Sequence, residues 1–318
     1  MKSEITVIVM TYNQKEYIAK AIDSILSQKV NIDYSILIHD DCSSDGTYEI
    51  VLDYQSKYPN KIQVIHQNNR KFLIDGFNMM IYKYLVPHIK TKYVAYCDGD
   101  DYWCDDTKLQ KQYDFMEIHK DYSMCFHSAY QLKSSGDMSS KWFISKDKDI
   151  GMSDLVNDKP GICIATSSIF LKKEVFVDFP NWRKEFPVED VPMYMMAAIY
   201  GKIHCLSDAM CIYRQFASGS WTSQNKNDID RKLKHLRGIK EATMSFNEWS
   251  QHKYSDLVDL QIKGCDFRIA ILTKNYSVIF NKTYKHLFKR LPFKERLSLK
   301  LQYSLPNLYN LLHNKKRG

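Results

Sequence analysis

The chain has 318 residues, of which 44% are hydrophobic and 26% charged, with a formal net charge of +8 at pH 7. This composition is typical of a globular protein and excludes a disordered or low-complexity chain. The eight cysteines form no C-x-x-C pair, which excludes a zinc ribbon and gives no sign of a secreted disulfide framework. No export signal and no apolar run of about 18 residues is visible, so we expect a cytoplasmic protein.

The charge is unevenly distributed along the chain. Residues 226–318 carry 20 Lys and Arg against 8 Asp and Glu, a net charge of +12, whereas residues 1–225 carry 25 against 29, a net charge of −4. An acidic body can hold a divalent cation or line a polar active site. A basic C-terminal third indicates an anionic surface such as phospholipid or nucleic acid.

The first hundred residues alternate strand-like and helix-like segments. Short apolar runs predict strands at residues 5–10, 34–39, 62–65 and 93–97. Helical periodicity follows each of the first three strands, and Asn13 with Glu16 three residues later predicts a capping box at the first helix. The third helix is expected over residues 76–86. This alternation predicts parallel βαβ units.

Beyond residue 120 the pattern is mixed. Strands are expected at residues 123–130, 163–171 and 203–213, and a helix at residues 192–200. From about residue 225 nearly all of the chain has a helical pattern.

Polar residues follow three of the predicted parallel strands. Thr11, Tyr12 and Asn13 close the first strand, Asp40 and Asp41 the second, and the run Asp98-Gly99-Asp100-Asp101 the fourth. Because ligands of such sheets bind beyond the carboxyl ends of the strands, we expect these three segments to meet in one crevice.

The run from Asp98 to Asp101 places three carboxylates within four residues. A solvated turn is one interpretation, because Asp and Gly are common in turns. The alternative is a site for Mg²⁺ or Mn²⁺ carrying a phosphate, since hard oxygen ligands suit these cations and neutralise carboxylate repulsion. The position directly after a buried strand favours the metal site.

A second acidic loop runs from Asp40 to Gly46. It begins like a calcium loop, but Leu52 stands where the closing Glu is required. We expect instead that Asp45 caps the following helix and that Asp41 accepts hydrogen bonds from a ligand in the crevice.

Residues 7–13, 40–47 and 96–103 together resemble the family 2 glycosyltransferases of the GT-A fold. The resemblance continues through Lys108–Gln112, Thr166–Ser168, Glu189-Asp190 and Tyr213-Arg214. It implies an α/β, Rossmann-like, mainly parallel sheet flanked by helices over residues 1–222, with a helical basic extension over residues 223–318.

The family also implies a reaction. A sugar moves from a nucleotide donor, usually a UDP sugar, to an acceptor hydroxyl with inversion at the anomeric carbon. The pathway implied is assembly of a bacterial surface polysaccharide, such as capsule or O-antigen, on a lipid carrier.

By this resemblance, Thr11, Tyr12 and Asn13 wrap the nucleotide and Asp41 holds its base. Asp98 faces the ribose and the metal, and Asp100 binds the Mn²⁺ or Mg²⁺ that bridges the phosphates. Asp101 orients its neighbours.

Glu189 and Asp190 precede Pro192 and therefore stand at a helix N-terminus. Alone they would be a capping pair, but the resemblance implies that Asp190 is the general base and Glu189 orients the acceptor. Arg214 is a candidate phosphate clamp. Gln215 and Phe216 stand where many relatives carry a metal-binding His, and His127 and His204 are equally well ordinary strand residues or substitutes.

The last helices are amphipathic and basic. Apolar stripes run through Leu287, Phe288 and Leu291, then Phe293, Leu297 and Leu301, then Leu308, Tyr309, Leu311 and Leu312. They predict either a cap packed on the catalytic domain or contact with an anionic membrane, in which case the protein is peripheral on the inner face of the cell membrane. A lipid-linked glycan acceptor favours the membrane.

Two other functions are open. A sugar-1-phosphate nucleotidyltransferase uses a Gly-rich loop after the first strand, and none is present here. A nucleic-acid-binding protein could use the basic tail, but the acidic body would repel a phosphate backbone, so we expect no nucleic-acid partner.

Overall fold

A computed structural model describes residues 3–156, 163–215 and 228–307. The chain divides into two compact units, Met1–Asn227 and Asp228–Gly318. Phe216, which stands where many relatives carry a metal-binding His, and the last apolar and basic tail residues, 308–318, lie outside the described residues.

Strands of the described residues in the first unit form one mixed sheet. They are β1 (Ile5–Thr11), β2 (Tyr34–Asp40), β3 (Ile62–His66), β4 (Tyr93–Tyr96), β5 (Tyr102–Trp103), β6 (Tyr122–Leu132), β7 (Met138–Trp142), β8 (Lys148–Ile150), β9 (Phe170–Lys172) and β10 (Lys202–Arg214). Their order is β3-β2-β1-β4-β9-β6-β10-β5, with β7 paired to β6 and β8 paired to β10.

The sheet has a parallel half and a mixed half. Strands β3, β2, β1 and β4 are parallel, as the alternating pattern predicts. Strand β9 is antiparallel to both β4 and β6, whereas β10 is parallel to β6. Polar residues that follow β1, β2 and β4 therefore share one edge.

Helices flank this sheet. They are α1 (Ile18–Leu26), α2 (Thr47–Lys57), α3 (Lys71–Asp75), α4 (Phe77–Tyr84), α5 (Lys108–Ile118), α6 (Met152–Val156), α7 (Lys173–Val177), α8 (Asn181–Glu185) and α9 (Asp190–Tyr200). Short 3₁₀ turns are present at Val86–His88 and Thr166–Ser168.

The core lies where α1 covers β1. Val7 and Val9 of β1 are fully buried, as are Ile18 and Ile22 of α1. The apolar spacing of α1 therefore provides one buried face, and burial of such side chains is the main favourable term in folding.

Three local predictions were wrong. Helix α1 begins at Ile18 without a side-chain cap, and Asn13 is left-handed with a φ of 50°. Its side chain accepts a hydrogen bond from the Ser44 N–H instead, because the loop after β2 lies beside it.

Of the strand expected at 163–171, only the last two residues belong to β9, and a 3₁₀ turn precedes them. Gly46, rather than Asp45, is the N-cap residue of α2.

The second unit is helical over its described residues. Its helices are α10 (Ile229–Trp249), α11 (Ser255–Thr273), α12 (Tyr276–Ile279), α13 (Lys285–Arg290) and α14 (Phe293–Ser304), with a 3₁₀ turn at Lys282–Tyr284. Phe267, Ala270, Ile279 and Leu299 form a buried cluster in this unit. None of the described helices in either unit has the length and hydropathy needed to cross a membrane.

Candidate active site

The ends of β1, β2 and β4 are joined by backbone hydrogen bonds. The Asp41 N–H donates to the Thr11 carbonyl at 3.0 Å, and the Gly99 N–H donates to the Met10 carbonyl at 2.9 Å. The loops that follow β2 and β4 therefore lie on either side of the end of β1. This is the convergence that the sequence predicts.

Asp101 is a buried residue whose side chain links neighbouring elements at this edge of the sheet. Its side chain is only 1% exposed and accepts hydrogen bonds from the Ser167 hydroxyl at 2.8 Å and the Arg214 N–H at 2.9 Å. The same Ser167 hydroxyl accepts a hydrogen bond from the Asp98 N–H. Asp101 thus fastens the end of β10 to the acidic loop, in accord with an orienting rather than a ligand-binding role.

Asp98 and Asp100 are partly buried carboxylates. Burial, followed by the negative charges of Asp100 and Glu189, raises the pKa of Asp98 well above its usual range. Burial also raises the pKa of Asp100, opposed by the positive charge of Arg214. Both carboxylates are therefore destabilised in their ionised form, which a nearby divalent cation would reverse.

The residues present fit such a cation as a partial ligand set. No group of three or more His, Cys, Asp or Glu forms a metal cage within the residues that the structure describes. Two carboxylates would leave coordination positions for phosphate oxygens and water, which is how Mg²⁺ is usually bound at phosphate sites.

Two buried oxygens flank the glycine of this loop. Among the described residues, Thr11 Oγ1 and Gln14 Oε1 have no hydrogen-bond partner. A Cβ added to Gly99 would lie 3.0 Å from Thr11 Oγ1 and 2.4 Å from Gln14 Oε1. The absence of a side chain at Gly99 therefore allows the loop to pack closely over these two buried oxygens. Thr11 was predicted from the sequence as a site residue, whereas Gln14 was not.

Asp41 has partners of its own. It accepts hydrogen bonds from the Lys71 N–H at 2.7 Å, the Phe72 N–H at 3.2 Å and Arg70 Nε at 3.1 Å. The Arg70 guanidinium also lies 3.3 Å from the centre of the Tyr12 ring. Asp41, Arg70 and Tyr12 form one polar and aromatic wall. Base binding by Asp41 stays a prediction, and Arg70 was missed because its contacts, Asp41 and Tyr12, lie 29 and 58 positions away in sequence.

Asn13 ties the loop after β1 to the loop after β2. Its N–H donates to the Ser43 hydroxyl at 2.9 Å, and its side-chain oxygen accepts from the Ser44 N–H at 2.8 Å. Asp45 adds a parallel link, accepting from the N–H groups of Lys15 and Thr47. These bonds give Asn13 a role in shaping the predicted nucleotide loop.

Arg214 lies at the end of β10, next to the acidic loop. Its Nη1 donates to the Asp100 carbonyl, and its guanidinium lies 4.9 and 4.8 Å from the ring centres of Tyr17 and Tyr102. The ammonium group of Lys20 lies 3.8 Å from the centre of the same Tyr102 ring. Arg214 therefore places a cation directly beside the acidic loop.

Glu189 and Asp190 differ sharply in environment. Glu189 is 7% exposed, and its Oε1 accepts a hydrogen bond of 2.5 Å from the buried Tyr96 hydroxyl. Burial raises the pKa of Glu189 to about 7. This inward position does not favour the expected contact of Glu189 with the acceptor.

Asp190 is the first residue of α9 and is exposed. Its negative charge contributes to the raised pKa values of Asp98 and Glu189, so it lies within electrostatic range of the acidic loop. An exposed carboxylate beside that loop can accept a proton from an incoming hydroxyl.

The two histidines lie elsewhere. His204 is near the start of β10, opposite the Arg214 end, and pairs with Asp149 at 2.7 Å while stacking on Phe115. His127 is buried in β6 with its Nδ1 2.8 Å from the Ser128 carbonyl. Both have the surroundings of ordinary strand residues.

Comparison with known proteins gives a family match. A family model described as Glycosyl transferase family 2 matches residues 6–176, more than half of the chain. An uncharacterized protein of Mycobacterium tuberculosis is 27% identical over 223 residues, which are 69% of this chain and 60% of that protein. The chain therefore spans less than two thirds of that relative.

Two further relatives are named as glycosyltransferases. The putative teichuronic acid biosynthesis glycosyltransferase TuaG of Bacillus subtilis is 25% identical over 79% of this chain and 96% of its own length. The UDP-Glc:alpha-D-GlcNAc-diphosphoundecaprenol beta-1,3-glucosyltransferase WfaP of Escherichia coli is 32% identical over 36% of this chain and 42% of its own length.

Solved structures share the fold. Residues 1–349 of S. aureus TarS in complex with UDP-GlcNAc align with a TM-score of 0.57 and 18% identity, covering 93% of this chain and 79% of that one. The mannosyltransferase PcManGT of Pyrobaculum calidifontis, in complex with GDP-Man and Mn²⁺, aligns with a TM-score of 0.51 and 12% identity, covering 96% and 88%. At these identities the likeness concerns the fold.

Proposed function

Because the chain belongs to glycosyl transferase family 2, we propose that it is an inverting glycosyltransferase that uses a UDP sugar to build a bacterial surface polysaccharide. The observation that carries this proposal is that Arg214 donates hydrogen bonds to the Asp100 carbonyl and the Asp101 carboxylate of the acidic loop, with Asp190 nearby at the start of α9. The carboxylates supply a metal site and a base, and Arg214 supplies a phosphate ligand.

The donor is bound across the ends of β1 and β2. Tyr12, Arg70 and Asp41 form the wall against which the base lies, and Thr11 and Asn13 border the nucleotide. UDP as the nucleotide is supported by the UDP-GlcNAc bound to TarS and by the donor in the name of WfaP.

Asp98 and Asp100 would hold a divalent cation, Mn²⁺ or Mg²⁺, which stabilises the negative charge of the departing diphosphate. The raised pKa values of both carboxylates fit this role, and the Mn²⁺ bound with GDP-Man in PcManGT supports it. Arg214 binds the same phosphates with its guanidinium, since one guanidinium can donate to two oxygens.

Asp190 acts as the general base. The acceptor oxygen attacks the anomeric carbon from the face opposite the diphosphate and loses its proton to the Asp190 carboxylate. One C–O bond forms as the bond between the sugar and the diphosphate breaks, and the UDP leaves with the bonding electrons. The new glycosidic bond has the inverted configuration.

The acceptor is a lipid-linked glycan, and the enzyme works at the inner face of the cell membrane. The lipid-linked substrate in the name of WfaP and the polysaccharide in the name of TuaG support a cell-surface polysaccharide. Capsule and O-antigen are the two candidate products.

A screen of nucleotide sugars for metal-dependent hydrolysis tests the proposal. We expect one UDP sugar to be hydrolysed slowly, and Asp100→Asn to abolish this reaction because it removes a charge that holds the metal.

Asp190→Asn should retain UDP binding in calorimetry but lose transfer to an acceptor by a factor of about 10² or more. Asp53→Asn, which changes an exposed carboxylate on α2, is the matched control and should behave as wild type.

Other outcomes would assign other functions. Undiminished activity in excess EDTA or in Asp100→Asn would refute the metal site, and loss of UDP binding in Asp190→Asn would move that residue to the nucleotide site. Release of pyrophosphate from a nucleoside triphosphate and a sugar phosphate would identify a nucleotidyltransferase. Salt-sensitive binding to duplex DNA with no turnover of any nucleotide sugar would favour a nucleic-acid-binding protein.

A further inference from the structure

The apolar residues of α13 and α14 divide into two groups. Leu287, Phe288 and Leu291 pack against the buried cluster of the second unit, and Leu299 is a member of that cluster with 5% exposure. These residues therefore have a structural role. They leave a second group of apolar side chains on the opposite face of α14.

Phe293 and Leu297 belong to this outward group. Phe293 is 70% exposed and Leu297 is 46% exposed. They are four residues apart in one helix and therefore lie on the same face, and Lys300 follows three residues later on that face. Two neighbouring exposed apolar side chains on one face indicate a binding surface, because moving such side chains out of water lowers the free energy.

The sequence around the two apolar residues is rich in cations. Between residues 285 and 307 the chain carries six Lys and Arg against a single acidic residue, Glu295. The cations are Lys285, Lys289, Arg290, Lys294, Arg296 and Lys300. All except Arg296 are exposed. An aromatic and an aliphatic side chain bordered by cations have the chemistry of the boundary between lipid headgroups and acyl chains.

We propose that the α14 face, defined by Phe293, Leu297, Lys294 and Lys300, binds the surface of an anionic phospholipid bilayer. Phe293 and Leu297 enter the boundary of the acyl chains, and the lysines contact headgroup phosphates. A bilayer fits better than duplex DNA, because a phosphate backbone would use the cations but leave the two apolar side chains in water.

This inference deepens the proposed function by naming the surface that meets the membrane of a lipid-linked acceptor. The biological role of the membrane surface rests on the proposed function, but the binding of the protein to a bilayer does not. Binding to vesicles is measured without donor, acceptor or turnover, so the two proposals can fail separately.

The test is co-sedimentation of the full chain with vesicles of phosphatidylglycerol and phosphatidylcholine, compared with vesicles of phosphatidylcholine alone, at low salt. We expect binding to the anionic vesicles only, weakened by added salt. The variant Phe293→Ser/Leu297→Ser should lower the partition coefficient about tenfold or more, and Lys294→Glu/Lys300→Glu should lower it at least as much.

Matched controls lie in the first unit. Leu52→Ser/Ile118→Ser removes two other exposed apolar side chains, and Lys57→Glu/Lys120→Glu makes the same change of net charge. Both controls should bind vesicles as wild type does. Every variant should keep its UDP affinity and its circular dichroism spectrum, since all of the changed side chains are exposed.

Several results would overturn the proposal. These are equal binding of wild type to neutral and anionic vesicles, unchanged binding of Phe293→Ser/Leu297→Ser, or an equal loss in the control variants. Binding that needs the lysines but not the two apolar residues, with duplex DNA bound equally well, would show a general polyanion site instead. Vesicle binding as expected together with no turnover of any UDP sugar would refute the proposed function and leave the membrane surface standing.

Discussion

Tyr96 and Glu189 hold the start of α9 in place. Tyr96 is the last residue of β4 and Glu189 immediately precedes α9, and the hydrogen bond between them is almost fully buried. The charge of Arg183, whose Nη1 donates to the carbonyls of Val175 and Asp178, also favours ionised Glu189. This contact positions the adjacent Asp190 relative to the acidic loop that follows β4.

The raised pKa of Glu189 makes stability depend on pH. Burial places this pKa at about 7, against an ordinary value of 4.5. Between these values the folded protein retains a proton that the unfolded chain has released. Stability is therefore expected to fall as pH rises through this window, by at most about 1.4 kcal/mol per pH unit. Glu189→Gln removes this dependence.

Denaturant unfolding in EDTA at pH 5, 6, 7 and 8 measures this effect. The free energy of unfolding of Glu189→Gln, relative to wild type, should increase up to about pH 7 and then stay constant. Glu16→Gln, a change at an exposed carboxylate, is the control and should follow wild type. A difference between Glu189→Gln and wild type that does not vary with pH would contradict the prediction.

At the scale of elements, α5 supports the acidic loop through the 3₁₀ turn at Thr166–Ser168. Gln112 is fully buried and donates to the Ser168 carbonyl at 2.9 Å, while its oxygen accepts from Lys108 Nζ at 2.7 Å. Trp103 donates to the Ser167 carbonyl at 2.9 Å. The 3₁₀ turn whose Ser167 binds Asp101 is thus fixed by α5 and β5. These contacts give Lys108 and Gln112 a structural role behind the acidic loop.

Gln112→Leu is expected to destabilise the first unit by about 3 kcal/mol. It leaves the buried Ser168 carbonyl and Lys108 ammonium without their partner, and each such loss costs about 1–3 kcal/mol. Gln110→Leu on the same helix removes only exposed hydrogen bonds and should cost less than about 1 kcal/mol. Denaturant unfolding of both variants compares the two. Equal losses would show that the contact with Ser168 does not support the turn.

At the scale of the whole molecule, the proposed site residues and the excess positive charge lie in different units. Every residue proposed for nucleotide, metal and base lies in the first unit, whereas the excess of positive charge lies in the second. The first unit carries the proposed catalytic site, and the second carries the proposed contact with a membrane.

Deletion of residues 293–318 should leave UDP binding intact but destabilise the second unit. The deletion removes the outward side chains of α14, and also Leu299 from the buried cluster. Loss of a buried Leu side chain typically costs about 2–5 kcal/mol. Calorimetry with UDP and limited proteolysis of the region after residue 228 measure the two effects. Loss of UDP binding would show that the nucleotide site depends on the second unit.

This expectation changes how a loss of vesicle binding by the truncated chain is interpreted. A chain without α14 lacks both the membrane surface and part of a core. The loss could therefore have either cause. The exposed-residue variant Phe293→Ser/Leu297→Ser separates the two, because it leaves Leu299 in place.

The parallel half of the sheet, the family and the meeting of the polar loops were all predictable from the amino-acid sequence. These features depend on local apolar periodicity and on motifs of adjacent residues, which are visible without knowledge of distant contacts. The GT-A fold and the glycosyltransferase family that the motifs predicted were both confirmed. The antiparallel strand β9 between β4 and β6 carried only a weak signal, because it is three residues long.

The internal partners of the side chains in these loops could not be predicted in this way, because they come from distant parts of the chain. Arg70 on Asp41 and Tyr12, and Tyr96 on Glu189, join residues that are 29 to 93 positions apart, and such contacts leave no periodic pattern. The same is true of Asn13, whose expected cap was displaced by a bond from another loop. In α14, Leu297 and Leu299 are the same residue type two positions apart, and only packing makes one exposed and the other buried, because helical neighbours two apart lie on different faces.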